Sequence, residues 1–212
     1  MSIITELKVT CGGSKATLIF DDLSSFDIGK EALQESGIHI GLDMSSQQIQ
    51  ELKQRDLYFS CLHAASHFLA HRPRSKREVD MRLQQRGFSR ETIDTVLNKL
   101  EEKKLLDDAE FARAWTENRM SFSPRSKLLV RQELKLKGIS DDLLNETIAD
   151  LDDDENAYQA GLKKRHLFKL LPREEFTTKL SRYLQTKGFG YSVTKNAIDR
   201  LWQEIQNAEN NE

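Results

Sequence analysis

Three histidines, His63, His67 and His71, stand at i, i+4 and i+8. On a helix that spacing brings imidazoles onto one face, the arrangement that pairs zinc ligands. No carboxylate lies between them to serve as a base and no fourth ligand is evident, so the stretch reads as a partly exposed polar face. Cys61 and Cys11 show no metal or redox spacing and read as ordinary thiols. Two cysteines cannot staple a chain of 212 residues, which suits a reducing, cytoplasmic setting. Gly12-Gly13 stands alone and forms no phosphate-binding loop, and no Ser-His-Asp or Cys-His arrangement stands out. The acidic run Asp150-Leu151-Asp152-Asp153-Asp154-Glu155 lacks the glycine and terminal glutamate of a calcium loop and reads as a charged junction. An enzyme, a metal site and a cofactor site are all expected to be absent.

The cations are better candidates for chemistry. Net charge is only −2, but it is segregated along the chain. Residues 1–55 hold five basic and eight acidic side chains, a net of −3. Residues 72–90 hold seven basic and two acidic, a net of +5; residues 119–137 hold six and one, again +5; residues 163–187 hold eight and two, +6. Three such segments suit a partner dense in phosphates or carboxylates, and distribution decides this where the overall charge does not. The ridge they predict consists of Arg72, Arg74, Lys76, Arg77, Arg82 and Arg86, then Arg125, Lys127, Arg131 and Lys135, then Lys163, Lys164 and Arg165. Phe111, Trp115 and Trp202 sit at helical core spacing and read as core, not as base-stacking platforms.

These segments are positioned by an internal repeat. Arg86-Gly87-Phe88, Lys137-Gly138-Ile139 and Lys187-Gly188-Phe189 place glycines 51 and 50 residues apart. Five columns counted from the glycine are apolar in every copy. Eight before stand Val79, Val130 and Leu180; four before, Leu83, Leu134 and Leu184; one after, Phe88, Ile139 and Phe189. Ten after stand Leu97, Ile148 and Ile198, and thirteen after, Leu100, Leu151 and Leu201. The first two columns share one helical face and the last two share another. Gly87, Gly138 and Gly188 then serve as structural turns that end the first helix of each pair with a left-handed backbone. Ser75-Lys76-Arg77-Glu78 reads as a capping box, and Ser89 and Ser140 as N-caps of the second helix. A further helix precedes each pair, clearest from Asp108 to Arg119 after Asp107.

The expected architecture is mainly α: three tandem three-helix repeats with a small N-terminal α/β appendage. The appendage spans 1–55, with a hairpin made by Ile4–Thr10 and Ala16–Asp21 around Cys11–Lys15, and a short strand plus helix in Phe26–Ser36. The repeats span 56–105, 106–151 and 152–206, and a polar, frayed tail spans 207–212. Charged residues make up 31% and hydrophobic residues 38%, with 3 Pro and 10 Gly, which excludes a collagen-like chain or a long disordered linker. No run approaches 18 apolar residues, and no secretory signal opens the chain, so no membrane partner is expected.

Between His71 and Val79, over Leu83–Phe88, over Leu105-Leu106-Asp107-Asp108-Ala109-Glu110-Phe111-Ala112 and over Glu133–Ile139, the chain resembles the RecX family of RecA modulators. The likeness covers about residues 56–205 and is strongest in the first two repeats. Repeat three departs from it, because Pro172-Arg173-Glu174 stands two residues further from its glycine and the Asp-Asp-Ala-Glu element has no clear copy. The resemblance implies an elongated curved rod, monomeric and non-catalytic, lying in the groove of the RecA–single-stranded-DNA filament. There it would slow ATP hydrolysis and oppose filament growth and strand exchange in recombination, DNA repair and the SOS response. Its partners would be RecA and single-stranded DNA, with double-stranded DNA a further candidate. The alternatives are a stand-alone DNA-binding regulator with helix-turn-helix-like repeats, and a scaffold for acidic proteins.

Overall fold

The computed structural model of the chain describes residues 2–9 and 15–209. They divide into two compact units, Met1–Leu106 and Asp107–Glu212.

The first unit opens with an antiparallel sheet of β1 (Ser2–Val9), β2 (Lys15–Phe20), β3 (Ser25–Gly29) and β4 (Asp43–Met44), in the order β3-β2-β1-β4. The expected hairpin pairing is present, with Leu7 opposite Leu18 and Val9 opposite Ala16; its turn lies outside the described residues. The expected strand and helix follow as β3 and α1 (Lys30–Glu35). Alternation sends Ala16, Leu18 and Phe20 to the buried face, against Ile4, Ile28 and Ala32.

A single helix, α2 (Ser46–Leu69), then serves both the appendage and the first repeat. Ser45 and Gln48 close a capping box at its start. Its first half places Leu52 in the sheet's core, and Asp56 accepts a hydrogen bond from Gly29 N–H at 2.6 Å. Its second half places Cys61, Ala64 and Ala65 in the core of repeat one. No Gly or Pro interrupts residues 46–69, so the helix runs straight through the 55/56 division drawn from composition.

Repeat one adds α3 (Lys76–Gln85) and α4 (Arg90–Glu102). The second unit holds repeat two, α5 (Asp108–Phe122), α6 (Lys127–Leu136) and α7 (Asp141–Ile148), and repeat three, α8 (Asp153–Phe168), α9 (Arg173–Thr186) and α10 (Tyr191–Glu209). The last helix passes through residues 207 and 208, where the sequence had suggested a frayed tail.

The three glycines have φ of 83°, 87° and 84°, and each closes the same hydrogen-bonded motif. Phe88 N–H donates to the Leu83 carbonyl and Gly87 N–H to the Gln84 carbonyl; Ile139 and Phe189 repeat the long bond to Leu134 and Leu184. This is the Schellman cap, whose apolar pair lies between the residue after the glycine and the one four before it. Two of the five apolar columns are that pair, and Leu83, Leu134 and Leu184 are fully buried. Caps hold the helix starts as well. Ser75 and Glu78 complete their capping box and Ser89 accepts from Thr92 N–H, whereas Ser140 makes no side-chain cap bond. Asp107 accepts from Ala109 and Glu110 N–H, and Asp152 accepts from Asp154 and Glu155 N–H in the same way. The acidic run at 150–155 is therefore the repeat-three copy of the Asp-Asp-Ala-Glu start, and not the charged junction expected from sequence.

Candidate nucleic-acid interface

Helix geometry decides which cations keep a free charge. In repeat one, Arg72 pairs with Glu78 at 3.1 Å and Lys76 with Glu101 at 2.8 Å. Arg74 stacks on the Phe68 ring at 4.0 Å, with Arg82 5.9 Å from the same ring. Burial, then the Arg72 charge, hold the Arg74 guanidinium below its usual range, Arg82 adds to this, and Glu78 opposes it. Arg77 and Arg86 are exposed and carry no ion pair among the described residues. Arg90, at the start of the second helix, is held by Asp80 and Asp94.

In repeat two, Arg131 and Lys135 both turn to Asp141, at 2.8 and 3.5 Å. Lys127 donates its ammonium to the Ala149 carbonyl at 3.1 Å. Arg125 pairs with Glu133, which also accepts from Arg119 Nε at 2.7 Å and from Trp115 Nε1 at 2.9 Å. Arg119 and Lys137 lie over the Trp115 ring at 4.4 and 5.1 Å. In repeat three, Arg165 pairs with Glu204 at 2.9 Å and Lys163 donates to the Ser121 carbonyl. Lys164 and Lys187 lie over the Tyr183 ring at 5.7 and 5.4 Å, and Lys187 also donates to Ser123 Oγ at 2.9 Å.

Of the thirteen predicted ridge cations, Arg125 shares Glu133, Lys127 and Lys163 donate to backbone carbonyls, and the other ten fall into two kinds. Arg72, Lys76, Arg131, Lys135 and Arg165 are offset by carboxylates on neighbouring helices. Arg74, Arg77, Arg82 and Arg86 in the first unit, and Lys164 in the second, have no carboxylate ion pair among the described residues. Arg119, Lys137 and Lys187, counted in the basic segments but not in the predicted ridge, lie against the Trp115 and Tyr183 rings, and Arg119 is also paired with Glu133. A signal for two of them was present, since the residue before each turn glycine is basic in all three copies: Arg86, Lys137 and Lys187.

Two of the three histidines come together at the end of α2. Helix α2 ends at Leu69, so His71 lies beyond it, and the His67 and His71 rings meet edge to face at 5.0 Å. Among the described residues no group of three or more His, Cys, Asp or Glu is placed to hold a metal ion. Cys61 is buried and free, and burial pushes its thiol up to about 11; Cys11 lies outside the described residues. No helix among the described residues is long and apolar enough to cross a membrane.

Comparison with known families matches this chain to three domain models in order. They are the first three-helix domain of RecX over residues 61–100, the second over 107–148 and the third over 152–198. Among curated relatives, the regulatory protein RecX of Lactobacillus delbrueckii subsp. bulgaricus is 28% identical over 97% of this chain and 75% of its own length. That of Clostridium botulinum is 26% identical over 93% of this chain and 95% of its own. A crystal structure of a regulatory protein RecX shares the fold with a TM-score of 0.69 at 19% identity, over 94% of this chain and all of that one. A second, of RecX from Lactobacillus salivarius, gives 0.58 at 23% identity over 71% of this chain and 97% of that one.

Proposed function

Since the chain belongs to the RecX family of regulatory proteins, we propose that it is a non-catalytic regulator of the RecA recombinase. It binds as a monomer, in the cytoplasm, within the groove of the RecA–single-stranded-DNA filament. There it slows ATP hydrolysis and opposes filament extension and strand exchange. The observation that carries this reading is the tandem order of all three family domains, each presenting cations next to its turn glycine. A repeating partner suits a repeating protein, and uncompensated Arg and Lys suit phosphate or carboxylate rows.

Helix-tight turn-helix units also suit a stand-alone DNA reader, which would place the start of each second helix in the major groove. Two of the three starts are ill equipped for it. Arg90 is held by two aspartates, and α7 opens with Asp141-Asp142, which repel a phosphate backbone.

The test is RecA ATPase on single-stranded DNA with substoichiometric protein, together with affinity for bare and RecA-coated strands. Slower hydrolysis and tighter binding to the coated strand are expected. Equal affinity for both strands with undiminished ATPase would favour the stand-alone reader.

A further inference from the structure

Four cations of the second unit crowd together where repeats two and three meet. Arg119 and Arg125 share Glu133, and Lys164 and Lys187 share the Tyr183 ring. Lys187 is half-buried and reaches across to Ser123 of repeat two. Glu133 is the carboxylate paired with this group among the described residues, and Trp115, Arg119 and Arg125 already occupy it. One negative charge stands against four positive ones. Burial, then the charges of Arg125, Lys164 and Arg119, hold the Lys187 ammonium below the usual lysine range. The Arg125 Nε atom is buried without a hydrogen-bond partner.

The main chain imposes this crowding. Ser126 N–H donates to the Lys187 carbonyl at 3.0 Å, and Lys127 N–H donates to Asp153 Oδ1 at 2.8 Å. Gly188 approaches so closely that a Cβ there would lie 2.5 Å from Ser126 Oγ and 3.0 Å from Leu129 Cβ. Like charges gathered by backbone contacts raise the energy of the empty site, and an anion relieves it. Donors arrive from separate elements: the last turns of α5, the segment before α6, the body of α8 and the C-cap of α9. Such convergence matches the several oxygens of a phosphate better than one planar carboxylate. Half-buried lysines beside a tyrosine face suit a flexible chain of phosphates with unstacked bases better than a rigid duplex.

We infer that the Arg119–Arg125–Lys164–Lys187 cluster is a phosphate seat for a single-stranded nucleic-acid backbone. Filling it fastens repeat three to repeat two, because the ligand bridges cations from both. The choice of nucleic acid rests on the proposed function, but the test needs no RecA, so either reading can fail alone.

The experiment compares the full chain with the double variant Lys164→Gln/Lys187→Gln. The control is Lys103→Gln/Lys195→Gln, two exposed lysines with no ion pair among the described residues. Thermal melts and equilibrium binding are followed with a poly-dT oligonucleotide, inorganic phosphate and polyglutamate. Each single-strand phosphate contact contributes a salt slope of about −0.7. Losing two contacts should flatten log affinity against log salt by about 1.4 and weaken poly-dT binding about 25-fold at about 0.1 M salt. Without ligand the variant should melt at or above wild type, since repulsion is relieved. With poly-dT only wild type and the control should gain. Should the double variant melt low, Lys164→Gln alone decides, because its ammonium rests on a ring and makes no hydrogen bond among the described residues; about half the change in slope is then expected. Unchanged poly-dT binding, an equal loss in the control, or equal protection by polyglutamate or free phosphate at matched charge would overturn the inference.

Discussion

Glu133 shows how one side chain can govern a surface. Its Oε2 accepts from Trp115 and Arg119, and it forms an ion pair with Arg125, while itself largely covered. Glu133→Gln should cost about 1.5–3 kcal/mol, the range for hydrogen bonds to charged groups, read as a lower urea midpoint at unchanged slope. Cys61 makes a second residue-scale prediction. A thiol raised to about 11 is almost wholly protonated at pH 8, and only the thiolate attacks disulfide reagents. In a Cys11→Ser background, Cys61 should stay unreactive in the native protein and react on unfolding; prompt native labelling would show that it is not buried. Apolar residues were readable one at a time because the helical period fixes their face. Charge partners were not: Lys76 finds Glu101, 25 residues away, and Arg165 finds Glu204, 39 away. Such pairs lie on separate helices, and no local spacing announces them.

At the scale of elements, the Schellman cap explains why the glycine and its flanking apolar columns recur together, and it separates two kinds of glycine. Gly87 has open space where a Cβ would go, so Gly87→Ala should cost only the left-handed strain, about 1–2 kcal/mol. Gly188→Ala adds a clash with Ser126 and Leu129 and should cost clearly more, seen by urea denaturation of both variants. Equal losses would mean that repeat three does not seat on α6. Leu134→Ala, at a fully buried column, should cost about 2–5 kcal/mol, and a melt matching wild type would show the register to be wrong. The repeat-three helix start escaped the sequence reading because Asp152 follows Asp107 by 45 residues while the glycines differ by 50. Helix α9 absorbs four of the five residues, running for 14 where α3 and α6 run for 10, and α8 takes the fifth, with 16 residues against 15 in α5. Spacing shows a repeat only where helix length is constant.

For the whole molecule, a net charge of −2 coexists with cations that no carboxylate offsets, so pairing, not composition, should rank the basic positions. Arg82 and Arg86 lack ion pairs among the described residues, whereas Arg131 and Lys135 both face Asp141. Each double substitution removes two positive charges. An exposed pair contributes at most about 1 kcal/mol to stability, so circular dichroism and melting should barely separate the two variants. Function should separate them. An ion-paired cation must leave its carboxylate to meet a phosphate, which returns part of the energy gained, and it releases less condensed counterion on binding. On the proposed function, Arg82→Ala/Arg86→Ala should therefore weaken inhibition of RecA ATPase more than Arg131→Ala/Lys135→Ala does. It should also flatten the salt dependence of filament binding more. If the two variants lose inhibition equally, the partner reads positive charge irrespective of pairing, and the division of the surface into offset and free cations has no functional meaning. If neither loses inhibition, contacts outside the basic segments hold the filament, and the acidic N-terminal appendage becomes the surface to substitute next.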